Sequence, residues 1–289
     1  MDLLNVGTGK PYSLIQSAIN ACPNGGSVQV NAGGVTNVYA EALVVNNKRI
    51  RLYGAIDGPG ISVTGAGGAS PALLVSGTGG CFAENLKFSC PGSSAAYVVQ
   101  LNNNQDWLSR CVIDGGGTAY CLLGQYGDNL LLANGTRGCD PSCAGVLLFQ
   151  HCTVVNMSIR GFYSAYASEY IGCLGYNCNG QAFINPSAGT SFWLFADDAT
   201  PAPVPGALPY LTLGQIDFVN YAGGDFRLKQ SSKAFLPGIS TLAIDGTGQA
   251  RVRSGDNCRV YGGYHDPAGY GGASALLAWL TGSASIRKY

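Results

Sequence analysis

The chain has 289 residues, with 16 Lys and Arg against 16 Asp and Glu, so its formal net charge is zero. Charged residues are 11% of the sequence, against about 25% in an ordinary soluble domain. Sparse, balanced charge excludes nucleic acid and anionic membrane surfaces as partners, because both need clustered Lys and Arg. No apolar run approaches the roughly 18 residues of a membrane-spanning helix.

The first residues, Met1-Asp2-Leu3-Leu4-Asn5, show neither the basic nor the apolar region of a secretory signal. We therefore expect a protein made in a cytoplasm and not exported by a cleaved signal. The 43 glycines suit a chain of strands and tight turns, since Gly accepts positive φ at low cost.

Residues 12–21 show helical periodicity, with Ser13 as a candidate N-cap. A Pro-Asn-Gly-Gly sequence at 23–26 ends this predicted helix. Short alternating strands are predicted at 27–30, 41–45, 49–54 and 61–65. The predicted apolar face of the helix comprises Leu14, Ile15, Ala18 and Ile19.

Further along, four short strand-like segments repeat a common pattern. Aligned on Leu86, Cys111, Cys152 and Cys173, they are separated by 25, 41 and 21 residues, so the middle step has the length of two coils. Strand-bearing units of roughly 20–25 residues indicate a solenoid. In stacked parallel strands the aligned residues would form one internal column.

The segments Gly7-Thr8-Gly9, 12–19, 28–30, 39–45 and 50–54, in this order, resemble the opening of pectin-lyase-like, right-handed parallel β-helix proteins. They are most similar to the entry of pectin methylesterases and of phage tail-spike β-helices. The resemblance covers about the first 65 residues. The repeats that follow, to about residue 185, have the same general strand pattern but match no specific family motif. It implies a fold more strongly than an activity.

The predicted fold is therefore an all-β, right-handed parallel β-helix. Residues 1–26 form an N-terminal cap with an amphipathic helix, and residues 27–198 form the coils. Residues 199–289 hold a Pro-rich excursion, a last coil and an irregular C-terminal cap. Within this last part, the segments 225–228, 243–248 and 261–264 resemble the closing region of other β-helices, and 274–280 is interpreted as a cap or docking element.

The resemblance implies acidic residues on one face, but the family motifs are missing. Pectin methylesterases use two Asp, an Arg and a Gln, and Phe192 stands where one Asp would lie. Gln181 begins the nearest match to the Gln motif, too close to that stretch for a separate coil. Polygalacturonase motifs are absent as well. No catalytic residue, cofactor or metal is assigned.

Isolated candidates remain. Asp114, Glu169 and Arg160 fall at unmatched offsets, and the Asp197-Asp198 pair favours a turn. We expect His151 to point outward and His265 to lie in a turn. The eleven cysteines include Cys139 and Cys143, which are four residues apart. This pair could form half of a zinc site or a disulfide, but a purely structural role is favoured because no matching His or Cys pair lies nearby. The glycosylation patterns at Asn134 and Asn156 are interpreted as turns.

Aromatic residues are the remaining functional signal, because aromatic faces stack on sugars or fill subunit interfaces. The aromatics that lie close together or on nearby coils are Tyr163, Tyr166, Tyr170, Tyr176, Trp107 and Trp193.

Two functions are open on this basis. The first is a non-enzymatic structural or adhesive virion protein, such as a capsid decoration, spike or tail component. It would be a homotrimer by analogy, with other virion proteins and a host surface polysaccharide as partners. The alternative is an extracellular, polysaccharide-degrading enzyme of the tail-spike or pectinase kind, which rests on fold analogy.

Overall fold

The chain winds into about six turns of a right-handed parallel β-helix with three faces, which confirms the predicted fold class. Each turn passes once through face 1, face 2 and face 3, and strands of successive turns pair in parallel. The structure, a computed structural model, describes residues 2–32, 37–55, 60–65, 69–91, 97–141, 147–166, 168–184, 194–197 and 216–229, and the strands at 235–237 and 259–261.

Face 1 is an eight-stranded sheet of β1 (Leu3–Val6), β2 (Ser27–Val30), β5 (Arg49–Gly54), β8 (Gly80–Glu84), β11 (Trp107–Ser109), β14 (Tyr126–Asp128), β16 (Leu148–Gln150) and β18 (Glu169–Ile171). Face 2 contains β3 (Val38–Ala40), β6 (Ile61–Thr64), β9 (Leu86–Ser89), β12 (Val112–Asp114), β19 (Leu174–Cys178) and β20 (Phe195–Ala196). Face 3 contains β4 (Leu43–Asn46), β7 (Leu73–Ser76), β10 (Tyr97–Leu101) and β13 (Tyr120–Leu123). Two ten-residue strands, β15 (Leu131–Asp140) and β17 (Thr153–Phe162), run through face 2 and on into face 3.

The predicted internal column is present. Strand register places Cys111 above Leu86 and Cys173 above Cys152. Leu130 lies between Cys111 and Cys152 in this column, so the 41 residues that separate the two cysteines make two turns, as expected. All five side chains are fully buried, and the three cysteines are free thiols that pack as small apolar groups.

The corner between face 1 and face 2 is made by one residue with positive φ in each of five successive turns. These are Asn85, Arg110, Asn129, His151 and Gly172. His151, expected to point outward, is fully buried. The left-handed backbone at His151 breaks the in-out alternation on which the outward prediction depended. Gly172 lies above it in the next turn, where a Cβ would be 2.6 Å from Nδ1 of His151.

A second corner, between face 2 and face 3, carries a ladder of side-chain amides. The Asn156 amide donates to Oδ1 of Asn134 at 3.0 Å, and the Asn177 amide donates to Oδ1 of Asn156 at 2.8 Å. All three residues have positive φ. Asn134 and Asn156 lie inside the long strands β15 and β17, at the bend between the two faces, and not in turns as interpreted from the sequence.

The N-terminal helix α1 spans Ile15–Ala21 and ends before Pro23, as predicted. Its start was mispredicted: Ser13 makes no cap, and the carboxylate of Glu41 accepts from the backbone N–H groups of Ile15 and Gln16, both at 2.9 Å. Leu14 precedes the helix and is exposed, while the other three predicted face residues are buried. In the described ranges, no helix has the length and apolarity needed to cross a membrane.

A hairpin of β21 (Phe218–Asn220) and β22 (Asp225–Leu228) packs on the outside of face 2. The sequence placed 225–228 in a last coil, but these strands pair antiparallel around a tight turn at 221–224. Phe218 and Phe226 bury apolar side chains that point outward from face 2, including Leu131 and Val155. The strands β23 (Phe235–Pro237) and β24 (Arg259–Tyr261) form a second antiparallel pair. Segments 200–209, 243–248 and 274–280 lie outside the described residues.

Candidate functional site

The acidic and basic candidates taken from the sequence do not converge. Asp114 ends a face 2 strand and accepts from the backbone N–H of Gly116 at 3.1 Å. Glu169 lies on face 1, and Arg160 lies on the face 3 part of β17. Three residues on three faces cannot act on one substrate group.

The other polar candidates have structural roles or lie outside the described residues. Asp197 accepts the backbone N–H of Asn177 at 2.8 Å, and burial raises its pKa. Cys139 is a buried free thiol. Among the residues that the structure describes, no group of His, Cys, Asp and Glu could hold a metal ion. Asp198, His265, Trp193 and Cys143 are not described.

The aromatic residues grouped from the sequence are separated by the fold. Tyr170 is fully buried in the interior, where it packs on Phe162 and Phe183. Tyr176 packs against Phe218 of the hairpin. Tyr166 is exposed, and Tyr163 is half-buried on face 3. Of these four tyrosines, all of which the structure describes, Tyr163 is the one in contact with arginine side chains.

The cluster around Tyr163 lies on the outside of face 3 and is called here the arginine-tyrosine patch. Strand register aligns four residues, one from each of four successive turns, in a single column along the helix axis. They are Tyr97, Tyr120, Arg137 and Arg160. Tyr163 and Asp140 complete the patch. Its members are half-buried except for Asp140, which is buried. The patch consists of Tyr97, Tyr120, Arg137, Asp140, Arg160 and Tyr163.

Cation–π contacts organise the patch. The guanidinium carbon of Arg137 lies 4.8 Å from the ring centroid of Tyr120 and 5.2 Å from that of Tyr163. The guanidinium carbon of Arg160 lies 5.0 Å from the same Tyr163 ring. Tyr97 and Tyr120 meet edge to face, with centroids 5.2 Å apart. Such contacts fix the direction of both arginine side chains before any ligand arrives.

The patch contains one carboxylate for two guanidinium groups. Asp140 pairs with Arg137 at 3.1 Å and accepts from the hydroxyl of Tyr97 at 3.2 Å. Within the described chain, Arg160 makes no ion pair. Burial, and then the neighbouring Asp140 charge, raise the pKa of Tyr97 to about 12. At neutral pH the patch therefore holds a protonated tyrosine and one uncompensated positive charge.

Sequence reasoning missed the patch because its residues come from four turns. A signal is nevertheless present: Tyr97 and Tyr120 are 23 residues apart, as are Arg137 and Arg160. This spacing is that of one coil. It becomes informative only when the strand that carries Arg137 is known to bend onto face 3.

A second charged cluster lies on face 1, and its two carboxylates bind donors of the same chain. Glu84 is buried between Arg51, at 2.6 Å, and Arg110. Asp128 accepts from the indole N–H of Trp107 and the hydroxyl of Ser109, both at 2.6 Å. Burial raises the pKa of Asp128, and these two donors oppose that rise. Both carboxylates are occupied by protein donors, so they hold the face together.

Comparison with known proteins gives limited likeness. No protein-family model matches the chain, and no curated protein matches it. Among solved structures, the pectin methylesterase from Aspergillus niger is 16% identical, with a TM-score of 0.43, over 73% of this chain and 81% of that one. The rice weevil pectin methyl esterase is 14% identical, with a TM-score of 0.46, over 72% of this chain and 80% of that one.

Proposed function

We propose that this β-helix is a polysaccharide-active protein that binds an acidic polysaccharide at the arginine-tyrosine patch. The observation that carries the proposal is the pair of guanidinium groups, Arg137 and Arg160, that share the ring of Tyr163 with one carboxylate beside them.

The charge arrangement calls for an anion. Arg137 and Arg160 are directly opposite each other on neighbouring strands. Like charges in this position are destabilising. A carboxylate or sulfate bound between them would relieve the repulsion, and the planar guanidinium group binds such anions through two parallel hydrogen bonds.

The shape of the patch favours a linear polymer. Its column crosses four turns, from Tyr97 to Arg160, and three strand spacings make about 14 Å along the helix axis. The tyrosine rings supply apolar faces against which sugar rings stack. With a net charge of zero, the chain lacks the extended positive field that nucleic acid binding requires.

Binding constants test the proposal. Calorimetric titration with polygalacturonate, and with neutral dextran as a second polymer, would compare the wild type with Arg137→Gln and Arg160→Gln. Each variant is expected to lose about tenfold or more in affinity for polygalacturonate, since hydrogen bonds to charged groups contribute roughly 1.5–3 kcal/mol.

Lys10→Gln is the matched control, because Lys10 is exposed and lies between β1 and α1 in the first turn, whereas the patch begins on β10. It should bind like the wild type. Equal affinities for all four proteins, or equal binding of dextran, would contradict the proposal.

Cleavage of the bound polymer is a second candidate, favoured by the protonated hydroxyl of Tyr97 beside Asp140. In hydrolysis the hydroxyl would protonate the leaving glycosidic oxygen while a water molecule attacks the anomeric carbon and gives its proton to Asp140. Release of reducing ends from polygalacturonate, abolished in Tyr97→Phe, would support cleavage. Binding without release of reducing ends in the wild type would leave the protein as an adhesin.

The virion location and the partners expected from the sequence also stay proposals. An adhesive virion component would use the same patch to hold a host surface polysaccharide, so the binding experiment serves both settings. An extracellular enzyme would use it for its substrate. Homotrimer formation is one outcome of the oligomer test described next.

A further inference from the structure

The outward side of face 1 carries a column with an unusual order. Strand register aligns one residue from each of six successive turns, and each of the six is half-buried. In order along the axis the six are Arg51, Phe82, Trp107, Tyr126, Leu148 and Glu169. The column continues beyond Arg51 through Ser27 and Leu3.

This order is self-complementary under reversal. Within these six, the first residue is a cation and the last is an anion, an apolar residue follows each of them inward, and two aromatic residues lie at the centre. Turning a second copy by 180° places Arg51 opposite Glu169, Phe82 opposite Leu148, and Trp107 opposite Tyr126. A two-fold interface requires this relation, since residue i contacts j and j contacts i.

We propose that face 1 is the contact between two copies of this chain, arranged antiparallel about a two-fold axis between Trp107 and Tyr126. The rings of these two residues are stacked, with centroids 5.8 Å apart and planes within 9° of parallel. They form a flat centre of the kind enriched at protein interfaces.

The charges of face 1 are compatible with burial in this dimer. Glu84 and Asp128 already have donors within the chain, so covering them leaves no unpaired charge. In the described part of the chain, Glu169 has no ion pair. The side chain of Arg51 is 33% exposed, and in the dimer it would receive the partner's carboxylate.

The spacing excludes the same contacts within one chain. Arg51 and Glu169 are five strand spacings apart, about 24 Å, and Phe82 and Leu148 are three spacings apart, about 14 Å. Sheets that pack face to face are about 10 Å apart, too far for a direct disulfide, which needs Cα atoms within about 7 Å. A short reagent that links two thiols spans that gap but not the distance within one chain, so it would join positions 82 and 148 only between two chains.

The experiment combines mass and cross-linking on the full chain. Sedimentation equilibrium of the wild type should show a dimer. Glu169→Arg should raise the dissociation constant of the dimer by about tenfold or more, because the new arginine of each copy would face Arg51 of the other copy. The double variant Phe82→Cys/Leu148→Cys, treated with the short thiol cross-linker dibromobimane, should give a covalent dimer linked between positions 82 and 148.

The single variants Phe82→Cys and Leu148→Cys control for the natural cysteines and should give no such link. A wild type that stays monomeric at high micromolar concentration would overturn the proposal. A trimer, or a dimer that never forms the 82–148 link, would overturn it as well. None of these variants alters the arginine-tyrosine patch, so the outcome is separate from that of the polysaccharide experiment.

Discussion

Arg137 and Arg160 lie opposite each other on adjacent strands, and both guanidinium groups contact the ring of Tyr163. A pair of like charges in register is maintained here by aromatic contacts and by a single carboxylate, Asp140. The patch therefore keeps electrostatic repulsion in the unliganded protein, in the place where an anionic group would bind.

This repulsion should appear as a salt dependence of stability. Raising the salt concentration from 0.01 to 1 M shortens the screening length from about 30 to about 3 Å. The wild type should gain roughly 0.2–1 kcal/mol more than Arg160→Gln, because only the wild type has the repulsion to screen. Urea unfolding at both salt concentrations measures this, and an identical salt response of the two proteins would contradict it.

Tyr97 should make stability depend on pH in the alkaline range. Its pKa is about 12 in the folded protein, above the ordinary value of 10. Between these values the folded chain keeps the proton and the unfolded chain loses it, so the contribution is full below pH 10 and is lost as the pH rises toward 12. The stability of the wild type should fall more steeply over this range than that of Tyr97→Phe. Parallel pH profiles would count against the raised pKa of Tyr97, which burial and then the Asp140 charge produce.

Asn156 should matter both for its side chain and for its backbone. Its amide joins Asn134 and Asn177, and it accepts from the hydroxyl of Tyr221. Asn156→Ala should lower the free energy of unfolding by about 2–4 kcal/mol, from lost hydrogen bonds and left-handed backbone. Glycine adopts positive φ at low cost, so Asn156→Gly should lower the free energy of unfolding by about 1 kcal/mol less than Asn156→Ala does. Urea midpoints compare them, and equal losses would show that the positive φ costs nothing.

Gly172 should be required because His151 lies directly below it in the preceding turn. Gly172→Ala should destabilise the fold by about 1–3 kcal/mol, since it adds a Cβ at 2.6 Å from Nδ1 of His151 and φ is +63°. In a His151→Ala background the steric part disappears, so the same change should cost less. Thermal unfolding of the four proteins in this cycle measures the coupling, and strict additivity would disprove the contact.

The solenoid could be predicted because its interior demands the same choice on every turn. Leu86, Cys111, Cys152 and Cys173 reveal the repeat, and even the double step at Leu130 could be inferred from spacing. The orientation of His151 could not, because a single left-handed corner residue reverses the face on which alternation would place it.

The arginine-tyrosine patch and the hairpin were beyond sequence reasoning for a related reason. The patch depends on register across four turns and on β15 bending from face 2 onto face 3. The hairpin at 218–228 consists of short strands like those of a coil. Its position follows from the apolar side chains that point outward from face 2, such as Leu131 and Val155, which need a cover.

The most direct test of the account is an arginine footprint. Phenylglyoxal modification, read by mass spectrometry, would measure the reactivity of each arginine with and without a short oligogalacturonate. We predict that the oligosaccharide protects Arg137 and Arg160 while Arg49, exposed on face 1, reacts unchanged. Unchanged reactivity at Arg137 and Arg160 under saturating oligosaccharide, or equal protection of all three, would contradict a binding site on face 3.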